Sequence, residues 1–215
     1  MSTRTDEHPN LVLFDHPLIL HKLTHIRDRD TGHRAFRALM AQIAGLMVYE
    51  ATRSFRTEEV EVQTPIEPFT GRRLAATVTL VPVLRAGLGM TDGILDLMPE
   101  ARVGHLGLAR DEQTLQPKAY LNKLPSDLDA GPVVLVDPML ATGGSALAAI
   151  EMIKQAGARD VRMLCIVASP EGVQKLAEAA PGVTIYAASL DRELNDKGYI
   201  VPGLGDAGDR LFGTT

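Results

Sequence analysis

Val133-Val134-Leu135-Val136-Asp137-Pro138-Met139-Leu140-Ala141-Thr142-Gly143-Gly144-Ser145, followed by Ala146-Leu147-Ala148-Ala149-Ile150, is the stretch that decides the fold of this chain. Four apolar residues in a row, mostly β-branched and without alternation, read as a strand buried on both faces. The strand stops at an acidic residue, a loop runs to Thr-Gly-Gly-Ser, and a helix opens at once. In an open parallel sheet, ligands settle beyond the carboxyl ends of the strands, so this loop lies where a site belongs. Successive backbone N–H groups, two glycines that let a ligand approach, and the Thr142 and Ser145 hydroxyls at a helix N-terminus make a cradle for phosphate. The loop lacks the Gly-Lys-Ser/Thr ending of an ATP-binding P-loop. Nor do its glycines follow the strand directly, as a dinucleotide fingerprint requires.

The same grammar extends in both directions. Residues 77–84 form a second doubly buried strand, and strand-like runs follow at 103–108, 161–168 and 183–187. Helical spacing appears at 89–97, 145–155 and 171–179, which predicts βαβ units around a mostly parallel sheet flanked by helices, an α/β fold. Thr31 is the expected N-cap of a long amphipathic helix over 32–53, and 59–64 alternates like a half-buried strand near an edge. Residues 109–125, polar and carrying Pro117 and Pro125, read as a flexible arm. Residues 194–215, rich in Gly and Asp, read as an irregular lobe.

With 215 residues, 45% hydrophobic and 23% charged, the chain is long enough for one domain spanning 1–215. A net charge of −5, 4% aromatics and no Trp exclude a general nucleic-acid binder. The single cysteine, Cys165, supports neither an intrachain disulfide nor a thiolate metal cluster and suits a reducing cytoplasm. Residues 1–10 are polar, unlike a signal peptide, and no apolar run is long enough for a membrane.

A cation, Arg85, ends the second buried strand beside Gly87 and Gly89. Alone it could be a solvated strand terminus. Beside a phosphate cradle on the same sheet, its planar fork fits phosphate oxygens. His21 and His25 share the i, i+4 spacing of a two-histidine metal face, but an exposed helix explains them more simply, and no metal ligand is assigned to the protein.

Asp137 to Ser145 resembles the 5-phosphoribosyl-1-pyrophosphate (PRPP) loop of type I phosphoribosyltransferases. Leu84-Arg85-Ala86-Gly87 upstream and Gly198-Tyr199-Ile200-Val201-Pro202-Gly203-Leu204-Gly205-Asp206-Ala207-Gly208-Asp209-Arg210 downstream are similar to the uracil branch of that family. So are Ile26-Arg27-Asp28 and Tyr49-Glu50-Ala51-Thr52-Arg53. The resemblance implies transfer of phosphoribose from PRPP to uracil, giving UMP in pyrimidine salvage. Arg85, Arg110, Asp206 and the loop Asp137, Pro138, Met139, Leu140, Ala141, Thr142, Gly143, Gly144 and Ser145 would bind PRPP. Arg85, Asp137 and Asp206 would be the catalytic set, and Ile200, Gly205, Asp206 and Ala207 would bind uracil within the 194–215 lobe. Mg²⁺ would arrive with PRPP, near Asp206. The family also implies a homo-oligomer, and some members respond to GTP as an effector. Pro138 stands where many type I enzymes carry a second acid, and Ala109 where the family usually has an aromatic residue.

Gly203 to Gly208 also spells G-x-G-x-x-G, but no strand is expected before it and too little chain follows for a βαβ unit. Two other readings stay open: a phosphoribosyltransferase for a different base, and a regulator that senses PRPP or nucleotide without turnover. The arm after Arg110, with Lys118 and Lys123, is expected to close over the polyphosphate.

Overall fold

The computed structural model describes residues 2–4, 7–110 and 117–214. In chain order its strands are β1 (Ser2–Arg4), β2 (Leu11–Phe14), β3 (Thr57–Gln63), β4 (Pro68–Leu74), β5 (Thr79–Leu84), β6 (Arg102–Val103), β7 (His105–Arg110), β8 (Pro117–Lys123), β9 (Val133–Val136), β10 (Met139–Leu140), β11 (Val161–Ala168), β12 (Thr184–Leu190), β13 (Glu193–Leu194) and β14 (Ile200–Val201). The helices are α1 (Pro17–Arg27), α2 (His33–Ala51), α3 (Leu88–Leu95), α4 (Gly144–Gln155), α5 (Pro170–Ala179) and α6 (Ala207–Phe212).

The central sheet runs β1-β2-β12-β11-β9-β5-β7-β8, with β10 beside β11 and β6 beside β5. From β2 to β7 every neighbouring pair is parallel, and an antiparallel strand closes each edge. The expected α/β architecture is therefore what the chain adopts. β9 and most of β5 are buried on both faces, because one apolar cluster packs α1, α2 and α3 on one side of the sheet and a second packs α4 and α5 on the other. No helix among the described residues is long and apolar enough to cross a membrane.

Several expectations need correction. The N-cap of α2 is Gly32, which offers no side-chain bond, while the Thr31 hydroxyl turns back to donate to the His25 carbonyl at 2.6 Å. The strand read at 59–64 is not half-buried: β3 pairs with β4 in a separate two-stranded hairpin, almost wholly exposed. The lobe at 194–215 is less irregular than its composition suggests, since β13 pairs antiparallel with β14 and α6 follows. A two-residue strand thus does precede the G-x-G-x-x-G run, but it lies outside the central sheet, and α6 ends at Phe212, so no βαβ unit forms. Within the arm, Pro117–Lys123 is a strand paired with β7, while 111–116 fall outside the described residues.

Helices α2 and α3 pack backbone against backbone at Gly45 and Gly93, where neither position leaves room for a side chain. A methyl group on Gly93 would stand 1.8 Å from the Ala41 carbonyl oxygen, which is backbone and has no rotamer to yield. Gly93→Ala should therefore destabilise the fold by about 3 kcal/mol, the upper range for forcing an extra carbon into a packed interface. Thermal denaturation should show a Tm lower by roughly 6–12 °C for a chain of this size.

Candidate active site

The segment leaving β9 is tied down at nearly every residue. β10 bridges in parallel to Val167 and Ala168, the amides of Ile166 and Val167 donate to the Pro138 carbonyl, and the Ser169 amide donates to Leu140. The Ser169 hydroxyl donates to the Ala141 carbonyl at 2.7 Å and accepts from the Gly172 amide at 3.0 Å, so it caps α5 and holds the loop at once. Only glycine fits at 172, where a Cβ would meet the Ala141 oxygen at 2.3 Å. The loop then turns through Gly143, left-handed with φ 73°, into α4. No side chain caps α4, so the first-turn amides after Gly143 keep their hydrogen-bonding capacity at the positive end of a twelve-residue helix. Thr142 and Ser145 are exposed beside them.

Asp137 follows the last residue of β9. One of its oxygens accepts from the Met139 amide at 3.2 Å. The residue retains some accessible surface, yet burial around the carboxyl pushes its pKa up to about 7, against the smaller opposing effect of that amide. Near neutrality this carboxyl is poised between its two forms, and donors brought by a ligand would favour the charged one. Burial also pushes the thiol of Cys165 well above its usual range, with the nearby Asp137 adding to the effect, so it is an inert core group.

Arg85 leaves β5 at the same edge of the sheet, after a cis peptide bond from Leu84. Its backbone continues into Gly87, whose Cβ would stand 2.6 Å from the Val136 carbonyl, so the ends of β5 and β9 meet with no room for a side chain between them. The side chain, 56% exposed, reaches the C-terminal lobe: Nη2 lies 3.2 Å from Asp209 Oδ1, and the guanidinium carbon sits 5.6 Å from the Phe212 ring centroid. Exposed Asp206 caps α6 by accepting from the Asp209 amide at 2.9 Å. A Cβ on Gly208 would touch both Asp206 Oδ1 and Arg85 Nη2, and one on Gly198 would touch the Thr142 methyl. The three motifs, distant in sequence, thus share one edge of the sheet.

Arg110 ends β7, opposite Pro117, and its side chain lies outside the described atoms. Lys118 and Lys123 are exposed on β8, and Ala109 is exposed on β7. His21 and His25 face each other edge-on with ring centroids 4.6 Å apart on α1, and no group of three metal-ligating side chains occurs among the described residues. Sequence reading assigned no role to the residues that hold the lobe in place. Arg27 forks onto Asp191, and Arg210 donates to the carbonyls of Ile26, Asp28 and Leu204 while its guanidinium lies over Phe36 at 4.4 Å. Arg27 and Arg210 stand within the quoted motifs, and that was the signal available.

The Asp137 shift has a measurable consequence. An acid whose folded pKa lies above its unfolded value keeps a proton that the unfolded chain has released, so its contribution is full below about pH 4 and is lost as pH rises through 7. Urea denaturation of the ligand-free protein should show wild type losing up to about 4 kcal/mol, relative to Asp137→Asn, between pH 4 and 8. A constant difference between the two proteins across that range would refute the buried-carboxyl account.

Residues 12–214 match the family model described as uracil phosphoribosyltransferase. Uracil phosphoribosyltransferases of Staphylococcus epidermidis and Ligilactobacillus salivarius are 56% and 58% identical over 203 residues, covering 94% of this chain and 97% of each relative. A solved structure of an Aquifex aeolicus protein superposes with a TM-score of 0.91 at 40% identity, covering 95% of this chain and 99% of that one. A hypoxanthine-guanine phosphoribosyltransferase of Bacillus anthracis, at 9% identity and a TM-score of 0.52 over 74% of this chain and 80% of its own, shares the fold alone. With the loop, the arginine and the C-terminal lobe meeting at one sheet edge, and near-full-length identity above half, this chain belongs to the uracil phosphoribosyltransferase family.

Proposed function

We propose that this chain transfers phosphoribose from PRPP to uracil, yielding UMP and pyrophosphate and so returning free uracil to the nucleotide pool. The observation that carries the reading is the uncapped N-terminus of α4 and its anchored loop lying at the same sheet edge as Arg85 and the 200–207 backbone. In the reaction the ribose C1–O bond to pyrophosphate breaks, with its electron pair leaving on the phosphate. The uracil N1–C1 bond forms, and the N1 proton is released.

The first-turn amides of α4, with Thr142 and Ser145, receive the 5-phosphate, while Asp137 accepts from the ribose hydroxyls in its ionised form. Asp209 occupies one nitrogen of Arg85, and the remaining donors of the fork serve the pyrophosphate. Arg110 is assigned to PRPP by resemblance. Since bond breaking leads, holding and neutralising the departing pyrophosphate is the largest task of the site. Mg²⁺ neutralises the same charge when bound. An exposed Asp206 fits a hydrated ion that would take one or two carboxylates and otherwise substrate oxygens.

Uracil is read by backbone groups of Ile200, Gly205 and Ala207. The Ala207 amide opens α6 and so has no partner inside the helix. A donor facing the 4-oxo group would meet the amino group of cytosine, leaving both donors unpaired. Pyrophosphate release from PRPP and Mg²⁺ should therefore be fast with uracil and at least about 10³-fold slower with cytosine, orotate, hypoxanthine or adenine. Turnover with one of those bases and none with uracil would make the chain a transferase for another base. PRPP binding without turnover of any base would make it a sensor.

The active form is a homo-oligomer in the cytoplasm. A groove of about 700 Å³ between α1, α2 and α3 is lined by Leu18, Leu46, Tyr49, Arg53 and Leu97. The β3–β4 hairpin starts four residues after Arg53 and carries Val62, Ile66 and Phe69 exposed, Ile66 at 91%. A second copy of the chain is the occupant that buries both surfaces. Sedimentation should give at least twice the 23.2 kDa chain mass, and Ile66→Ser with Phe69→Ser should weaken association at least tenfold without unfolding the protein. A monomer at micromolar concentration would rule this out.

A further inference from the structure

Asp191 is a buried acid just before the C-terminal lobe and is not among the residues assigned to substrate. It follows β12 at the carboxyl edge of the sheet, and its side chain is 2% exposed. Both carboxylate oxygens are fully engaged. Oδ1 accepts from Arg27 Nη2 at 2.5 Å and from the Ser189 hydroxyl at 2.7 Å, and Oδ2 accepts from Arg27 Nη1 at 2.8 Å and from the Gly203 amide at 2.8 Å. Arg27 Nη1 also donates to the Gly203 carbonyl at 2.5 Å. One ion pair therefore holds both backbone polar groups of a single residue. Burial alone would raise the Asp191 carboxyl, but the Arg27 fork, the Ser189 hydroxyl and the Gly203 amide outweigh it and hold it below the usual carboxylate range.

Gly203 is the pivot of the segment proposed to read the base. It is left-handed at φ 63°, and a Cβ there would stand 2.3 Å from the Ile200 carbonyl. Ile200 lies three residues before it and Gly205 two residues after. Backbone donors and acceptors have no rotamers, so their aim is set by the φ and ψ angles of the turn that carries them. Fixing Gly203 at both its N–H and its C=O fixes how the Ile200 and Gly205 groups face each other.

We propose that Arg27 and Asp191 are positioning residues for the nucleobase: by clamping Gly203 from both sides they set the spacing of the backbone groups from Ile200 to Ala207 without touching the base. This rests on the functional reading above. It extends that reading to a pair, the last residue of α1 and the residue just after β12, that lie 164 residues apart in sequence. Because the clamp acts on the base side of the site and not on the α4 cradle, its loss falls on one substrate.

Steady-state kinetics with uracil and PRPP varied separately provide the test. Asp191→Asn should raise the KM for uracil at least tenfold while the KM for PRPP stays within about twofold, with circular dichroism confirming a folded protein. Arg27→Ala should show the same split, and millimolar guanidinium ion should recover at least part of the uracil KM, because the Arg27 side chain is 21% exposed and its place can be refilled. Should Asp191→Asn fail to fold, Arg27→Lys decides: the ammonium keeps the charge but cannot grip Asp191 and the Gly203 carbonyl together, so the same split is expected. Folded variants with an unchanged uracil KM, a parallel rise in both KM values, or no recovery with guanidinium would each overturn the clamp. If wild type turned over another base in place of uracil, the functional reading would fall, and the same ratio measured with that base would still judge the clamp.

Discussion

The contact at the carboxyl end of β9 is the constraint from which the site follows. The Val136 carbonyl excludes any side chain from Gly87, so β5 and β9 end side by side. The next residue of each strand end carries or leads to chemistry, Asp137 on one and Arg85 on the other. Because both strands are buried on both faces and bonded in parallel, neither can slide to relieve the crowding. Close backbone approach thus does what side-chain contacts do elsewhere: it sets the distance between an acid and a cation that sequence places 52 positions apart. The β10 bridge and Ser169 extend the same rigidity into the loop, so the α4 amides are aimed before any anion arrives.

The parts legible in the sequence are those whose physics is local. A doubly buried strand must be apolar throughout, and β5, β9 and β11 announce themselves that way. The Thr-Gly-Gly-Ser turn into α4 is likewise written in adjacent residues. What escaped reading depends on partners far along the chain. β2, only four residues long, is a strand because β12 lies beside it. The β3–β4 hairpin alternates like an edge of the main sheet, yet it is held by cross-strand pairs such as Arg73 with Glu58, so alternation alone misreports its burial. Asp191 looks like any acid at a strand end. Only the fold brings Arg27 to it.

Charge is distributed in keeping with this division. The chain carries 22 basic residues against 27 acidic ones, and several arginines are spent inside the structure. Arg27 and Arg210 brace the C-terminal lobe, while Arg162 donates to the Ala51 carbonyl and lies 4.3 Å from the Phe55 ring. Such arginines satisfy carbonyls at helix ends that would otherwise be left without partners. The acidic balance argues against a long polyanion but not a small one, since what this sheet edge presents, among the described residues, is amide groups and the exposed Arg85 guanidinium rather than a basic surface.

The proposed reading, in which the base is met by backbone and not by side chains, would impose a particular demand on the fold. A misaimed side chain can settle in another rotamer at modest cost, whereas a misaimed amide moves only if its whole turn moves. Discrimination between a carbonyl and an amino group then depends on how stiffly the turn is held, because a turn free to swing could repair the mismatch it is meant to punish. The lobe here is short of the means to stiffen itself: β13 and β14 are two residues each, and α6 is six. Its rigidity is imported from α1 and α2 through Arg27 and Arg210, which close onto the backbone carbonyls of the lobe and of the α1 terminus. If the base is read as proposed, the N-terminal helices thereby contribute to the specificity of the site through these bonds.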